Sequence, residues 1–208
     1  MKRGLFISIE GPDGSGKSTQ IKLIKEFLND IGMDAILTRE PGGTVISEKI
    51  RQIILDKEHI EMDPMTEALL YAASRAQHVA EVIKPGLQSG KTVICDRFVD
   101  SSIAYQGYGR HLGDAVRIIN EYAVAGCMPD ITFLLKVDPS VGKDRIKEEE
   151  QDRLENEKLD FHNTVFKGYL ELEEIYKDRI IGIDATKNID EISNQIVSHI
   201  NNILKVKD

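Results

Sequence analysis

The 208-residue sequence contains only two cysteines, Cys95 and Cys127, far apart and at no metal-ligand spacing. That excludes a disulfide framework and a zinc site of the paired-cysteine kind. Both thiols read as small buried hydrophobes in a reducing compartment. Long apolar runs are also missing. The start "MKRGLFISIEG" imitates a signal peptide, with basic residues ahead of an apolar stretch, but Glu10 interrupts that stretch after five residues. No segment approaches the roughly 20 apolar residues of a membrane span, so the expectation is a cytoplasmic protein with no membrane role. Positive charge is scarce as well: 27 Lys and Arg against 35 Asp and Glu give a net charge of −8. A broad nucleic-acid-binding surface is therefore not expected, and any bound phosphate must be held by a local cluster of cations and backbone amides. With no repeat, low-complexity tract or linker, residues 1–208 read as a single domain.

What the chain does have is alternation. Short β-rich runs at 5–9, 35–38, 92–95, 131–137 and 179–183 are separated by helical periods at about 17–31, 45–57, 64–88, 114–125, 157–178 and 189–205. Near-continuous apolar strands between helices predict an α/β fold with a parallel sheet covered on both faces. On the long helix, Leu69, Ala72, Ala73, Ala76, Ala80 and Ile83 fall at helical spacing and predict the packing face. Glu67, Tyr71, Arg75 and His78 fall opposite, as a solvated face or a ligand-facing one.

The segment "GPDGSGKS" (11–18) follows a strand and opens an amphipathic helix, and it fits the phosphate-binding loop G-x-x-x-x-G-K-[ST]. Gly11, Pro12, Asp13, Gly14, Ser15, Gly16, Lys17, Ser18 and Thr19 are thus the expected ATP-binding loop and first helical turn. Backbone N–H groups would cradle the phosphates, Lys17 would reach the β- and γ-phosphates, and Ser18 would take a place on Mg²⁺. The loop suits ATP or GTP and leaves the reaction open. A regulatory GTPase also needs an [NT]-K-x-D loop and a D-x-x-G. "TKNID" (186–190) places its aspartate one residue too late, and the one aspartate followed by glycine three residues on, Asp13, lies inside the phosphate loop itself. A deoxynucleoside kinase is the nearer alternative, with a sugar hydroxyl as acceptor.

Three further segments, "TREPGGT" (38–44), "YAASR" (71–75) and "DRFVDSSIAYQG" (96–107), stand in order behind the phosphate loop. Together they resemble the bacterial thymidylate kinases of the P-loop nucleoside monophosphate kinase family, over nearly the whole chain. The resemblance implies a P-loop NTPase-type three-layer fold, with a five-stranded parallel sheet flanked by helices and a small lid. It implies transfer of a phosphoryl group from ATP to dTMP with Mg²⁺, usually by a homodimer. It also explains why a cation follows the carboxylate Asp96, which would hold Mg²⁺ directly or through water. Arg97 matches the arginine that grips the acceptor's 5′-phosphate, and Arg39 and Arg51 match residues around the same phosphate. Tyr71 stands where the family stacks an aromatic ring on thymine. Arg75 and Gln106 match residues that hydrogen-bond the base edge, with Ser102 nearby, and Tyr105 matches the tyrosine that crowds the sugar 2′ position. Asp13 matches a carboxylate that contacts the 3′-hydroxyl or organises magnesium.

Some thymidylate kinases carry an arginine in the P-loop and others supply it from the lid. The corresponding slot here is Gly14, which resembles the lid-arginine kind, with a lid at about 143–156. Arg153 matches the lid arginine that reaches the transferring phosphoryl, and Arg145 the residue that stacks on adenine. The acidic run "KEEEQD" (147–152) departs from the more basic lids of the family, and its glutamates are expected to point to solvent. Lys17, Arg97, Arg153 and Asp13 are the expected catalytic set. The Ala/Leu face of the long helix is the expected contact between subunits.

Overall fold

The computed structural model describes residues 3–143, 145 and 152–207. Five parallel strands form one sheet in the order β2-β3-β1-β4-β5. They are β1 (Phe6–Glu10), β2 (Ala35–Arg39), β3 (Thr92–Asp96), β4 (Ile131–Lys136) and β5 (Ile180–Asp184). Strand periodicity splits β1 between the two faces of the sheet. Ile7 and Ile9 pack with Ile24, Leu28 and Ile196 under α1 (Lys17–Asp30) and α9 (Ile189–Lys207). Phe6 points the other way, among Ile83, Leu87, Cys95 and Phe98. Ser8 and Glu10 are also fully buried, and Ser8 Oγ bonds Thr132 Oγ1 at 2.6 Å. The second face of the sheet therefore carries buried polar groups toward the carboxyl ends of the strands, where open α/β sheets bind ligands.

The remaining helices frame that end. α2 (Val45–Leu55) is capped by Thr44, whose Oγ1 accepts from Ser47 N, and α3 (Pro64–His78) by Asp63, which accepts from Met65 N and Thr66 N. The long helical period expected at 64–88 is not uniform. α3 passes through a π-helical turn, Val79–Ile83, into α4 (Lys84–Gln88). The wider turn shifts the phase of the stripe, so Ile83 is buried while Ala80 is exposed. The face assignment also changes. Glu67, Arg75 and His78 are buried, whereas Leu69 is 50% exposed and Ala73 and Ala76 are exposed. The polar face turns inward because its charges are paired there, as shown below.

After β3 the chain turns helical over a stretch that the helical periods in the sequence leave out. It forms the short helix α5 (Val99–Ser102) and then a π-helical segment, Ile103–Gly109, before α6 (Asp114–Val124). α7 (Pro139–Lys143) lies against the phosphate loop, and α8 (Leu159–Ile175) covers Tyr105 with Val165, Tyr169 and Leu172. Of the segment expected as a lid, residues 144 and 146–151, including Lys147 and Glu148–Glu150, lie outside the described residues.

Candidate active site

The loop after β1 bends where only glycine is comfortable. Gly14 has φ +72°, and a Cβ there would stand 2.1 Å from the Gly142 carbonyl oxygen of α7. An arginine cannot occupy that slot without displacing α7, which accounts for the P-loop arginine being absent from this chain. α1 starts at Gly16 with no side-chain cap and no acid in its first turn, so its positive end is open to an anion. Lys17 is buried and folds back over the loop, donating to the carbonyls of Gly11 (3.2 Å) and Pro12 (2.9 Å). Burial, then the charge of Arg97, push its pKa down to about 8, against the pull of Asp13. Ser15 Oγ is buried with no hydrogen-bond partner among the described residues.

Arg97 does not pair with its neighbour Asp96. Its backbone takes φ +66°, a left-handed conformation costing roughly 1–2 kcal/mol for a residue with a Cβ. Its N–H still donates to Ile9 O at 2.9 Å, so the strand ends normally and the side chain is swung across the loop. There Nη1 donates to Gly11 O (2.9 Å), Tyr169 Oη (3.1 Å) and Ser101 Oγ (3.3 Å), and Nη2 donates to Asp13 Oδ1. Of five N–H groups, one on Nε and one on Nη2 have no partner among the described residues. Burial works against the charge of Asp13, but Arg97, then Lys17 and the Tyr105 hydroxyl (3.0 Å), hold its carboxyl well below the usual carboxylate range. Behind Arg97 lies Glu10, which accepts from Phe98 N (2.7 Å), Ser101 Oγ and Tyr169 Oη (3.1 Å). Burial and then the neighbouring Asp100 push Glu10 up to about 7.

Two cavities meet at Arg97. One, of about 520 Å³, is bordered by Gly14, Gly16, Lys17, Ser18, Thr19 and Arg145. Arg145 is held by a bond from its Nη1 to Gly14 O (3.1 Å). Asp96 also borders it, and Asp96 Oδ1 is a buried carboxylate oxygen with no hydrogen-bond partner among the described residues. An orphaned carboxylate oxygen and the Ser18 hydroxyl on the border of one cavity fit a hard divalent cation such as Mg²⁺. The second cavity, of about 130 Å³, is lined by Tyr71, Arg75, Ser102, Tyr105 and Gln106. Asp13, Glu40, Arg51, Arg97 and Glu155 border both. Arg51 is held by a bond to Pro41 O (2.9 Å). Arg39 borders only the first cavity and lies in an exposed ion pair with Glu48 (3.0 Å).

Arg75 is among the most buried side chains, and Glu40 fixes it. Glu40 Oε2 accepts from Arg75 Nε (2.7 Å) and Oε1 from His78 Nδ1 (2.9 Å), and His78 Nε2 bonds Thr38 Oγ1 (2.6 Å). Arg75 also donates to Ser102 Oγ (2.9 Å), Asn120 Oδ1 and Phe98 O (3.1 Å), which leaves one Nη2 N–H without a partner among the described residues on a side chain that lines the cavity. Tyr71 projects from the same helix one turn before it.

Arg153, expected on the transferring phosphoryl, donates from Nη2 to Glu67 Oε2 (2.7 Å) and from Nε to Ile54 O (2.9 Å), and it borders neither cavity. Sequence reasoning missed Glu67, Glu155, Ser101 and Tyr169 as members of the site. Glu10 carried a signal as an acid closing the apolar run of the first strand, whereas Glu67 stood on the helix face opposite the expected packing face.

A glycine loop after the central strand, facing a second cavity across a shared arginine, defines a P-loop kinase of the nucleoside monophosphate type. The thymidylate kinase family profile matches residues 9–196. The chain is 50% identical over 200 residues to a thymidylate kinase of Clostridium novyi (strain NT), covering 94% of this chain and 98% of that one. It is 52% identical over 194 residues to one of Geobacillus sp. (strain WCH70), covering 91% and 92%. Among solved structures, thymidylate kinase from Ehrlichia chaffeensis superposes with a TM-score of 0.78 at 32% identity, covering 96% of this chain and 99% of the other. The chain belongs to the thymidylate kinase family.

Proposed function

We propose that the protein transfers the γ-phosphoryl group of ATP to dTMP, giving ADP and dTDP. The observation that carries this reading is the pair of cavities meeting at Arg97 and Asp13, which sets two phosphate-bearing guests head to head. ATP lies along the loop, with Lys17 leaving the carbonyls of Gly11 and Pro12 for the β- and γ-phosphates and Arg145 against the adenine. The dTMP phosphate takes the two unused N–H groups of Arg97, with Arg51 beside it and Arg39 at the rim. Tyr71 stacks on the base, Arg75 and Gln106 bond its edge near Ser102, and Tyr105 with Asp13 crowds the sugar. An oxygen of the dTMP phosphate attacks the γ-phosphorus as the bond to the β,γ-bridging oxygen breaks. The acceptor oxygen is already anionic near neutral pH (second pKa about 6), so the residues position and neutralise rather than remove a proton. Asp96 and Ser18 would hold Mg²⁺, which supplies charge neutralisation at the β- and γ-phosphates. Asp152, Leu154 and Glu155 border the acceptor cavity, which supports reading 143–156 as a lid on a single domain.

A coupled assay with ATP, Mg²⁺ and a panel of acceptors tests the reading: dTMP is expected to be turned over, and thymidine is not. Activity on thymidine alone would make this a nucleoside kinase. The exposed apolar residues Leu69, Ala73 and Ala76 of α3, with Ile53 and Ile118 also exposed on α2 and α6, the helices packed against it, support a homodimer through this surface. Light scattering at micromolar concentration should give twice the chain mass. Both cysteines are free and buried, in keeping with a reducing, cytoplasmic location. No helix among the described residues is long and apolar enough to cross a membrane.

A further inference from the structure

Gln106 is 1% exposed and lines the acceptor cavity, yet its Oε1 has no hydrogen-bond partner among the described residues. Its Nε2 donates to Glu67 Oε1 at 2.9 Å. Glu67 is fully buried behind the cavity and does not line it. Its other contacts are all donors as well: Arg110 Nε (3.3 Å) on Oε1, and Arg110 Nη2 (3.2 Å) and Arg153 Nη2 (2.7 Å) on Oε2. A carboxylate surrounded by donors only accepts. The Gln106 amide is therefore forced to turn its NH₂ toward Glu67, which leaves the carbonyl oxygen as the unpaired end of a side chain that lines the cavity. Beside it, Arg75 presents its one unused N–H.

The cavity thus offers one acceptor and one donor to the edge of a base. That pair complements the N3–H and 4-carbonyl of thymine or uracil. Cytosine presents the reverse, a bare N3 and a 4-amino group, and so meets a mismatch at both points. Resting on the functional reading above, we infer that Glu67 is a positioning residue that fixes the Gln106 amide to read a base N–H, and so excludes cytosine nucleotides. It does so without touching the acceptor.

The test is the ratio of kcat/KM for dTMP to that for dCMP, measured in the coupled assay for the wild type and for Glu67→Gln. In the variant, the one remaining carbonyl oxygen serves Arg110 and Arg153, and the new NH₂ faces Gln106. Gln106 must then turn over and present its own NH₂ to the cavity. A buried donor now meets N3–H of thymine, whereas bare N3 of cytosine finds a partner. The ratio is expected to fall by about tenfold or more, the equivalent of roughly one buried hydrogen bond. The mismatch at Arg75 remains, so discrimination shrinks without vanishing. A merely structural role would lower both acceptors alike, and an unchanged ratio in an active variant overturns the inference. Should Glu67→Gln not fold, Glu67→Asp carries the test, since the shortened carboxylate releases the amide and lowers the same ratio; an unmoved ratio there overturns the inference equally. Adding Glu67→Gln to Gln106→Met should leave the ratio of Gln106→Met unaltered, and a further fall would show that Glu67 acts by another route. A wild type inactive on dTMP overturns the functional reading and this inference with it. A wild type active on dTMP with an unmoved ratio overturns the inference alone.

Discussion

Replacing Arg97 by Gln separates the two halves of the site. The two N–H groups of Arg97 that have no protein partner are the ones available to the acceptor phosphate, and each charge-assisted bond is worth about 1.5–3 kcal/mol. Losing both predicts a fall in kcat/KM for dTMP of about 10²–10⁴-fold. ATP should be affected far less, because the loop's phosphate contacts are its backbone N–H groups and Lys17. Arg97 touches that loop only through Gly11 O and Asp13. Arg97→Gly is the companion variant. It removes the same bonds but relieves the backbone at φ +66°, so it should recover about 1 kcal/mol of stability relative to Arg97→Gln while showing the same loss on dTMP. Coupled kinetics measure the first quantity, calorimetric ATP titration the second and thermal unfolding the third. A loss of ATP affinity as large as the loss on dTMP would refute the reasoning and return Arg97 to a structural role.

Lys17 sits at about 8 in the free protein, and bound phosphates raise it, so above pH 8 ATP must bring a proton with it. ATP affinity is expected to weaken as pH rises past 8, by up to about one decade per pH unit; a flat profile between pH 8 and 9.5 would exclude the lysine as the linked group. Arg153→Ala should raise KM for dTMP more than it lowers kcat, because the arginine braces Glu67; a loss of about 10³ in kcat with KM unchanged would place it on the phosphoryl group instead. Arg179 bonds both carboxylate oxygens of the buried Asp100 (2.6 and 2.7 Å), so Arg179→Ala strands a charge beside Glu10. It should cost about 3–5 kcal/mol in denaturant unfolding, and a cost under about 1 would mean the pair is dispensable.

The strands were legible because a parallel sheet covered on both faces writes itself as uninterrupted apolar runs, and each of the five falls within a residue or two of its expected place. The phosphate loop was legible because its glycines and Lys17 act through backbone geometry, which a local pattern records. Long-range pairing left no such record. Nothing near Arg97 announces Asp13 as its partner, and nothing near Arg75 announces Asn120. The helical nature of 99–109 was hidden because "VDSSIAYQG" is polar and glycine-bearing, as a loop would be, while its polar side chains are buried against Glu10 and Glu67. The face of α3 was misread for the same reason: hydrophobicity marks burial only where the buried groups are not paired charges.

That pairing also resolves how a chain of net charge −8 can hold two polyanions. Every arginine at the acceptor end that is bonded to a side-chain carboxylate is bonded to one from a different element: Arg97 to Asp13, Arg75 to Glu40, Arg153 and Arg110 to Glu67. The acids hold the guanidiniums in place before any substrate arrives, so little ordering remains to be done on binding. Because a guanidinium has more N–H groups than one carboxylate can use, Arg97 and Arg75 keep spare donors on side chains that line the cavities, while Arg153 and Arg110 brace Glu67 from outside them. A lysine in the place of Arg97 or Arg75 would keep the charge but, with three donors on one atom, could not serve both an internal acid and an external guest in fixed directions. Arg75→Lys should therefore lose base recognition, seen as a raised KM for dTMP, even though the ion pair to Glu40 persists; retention of wild-type KM would show that charge alone, not the fork of donors, is what the site requires.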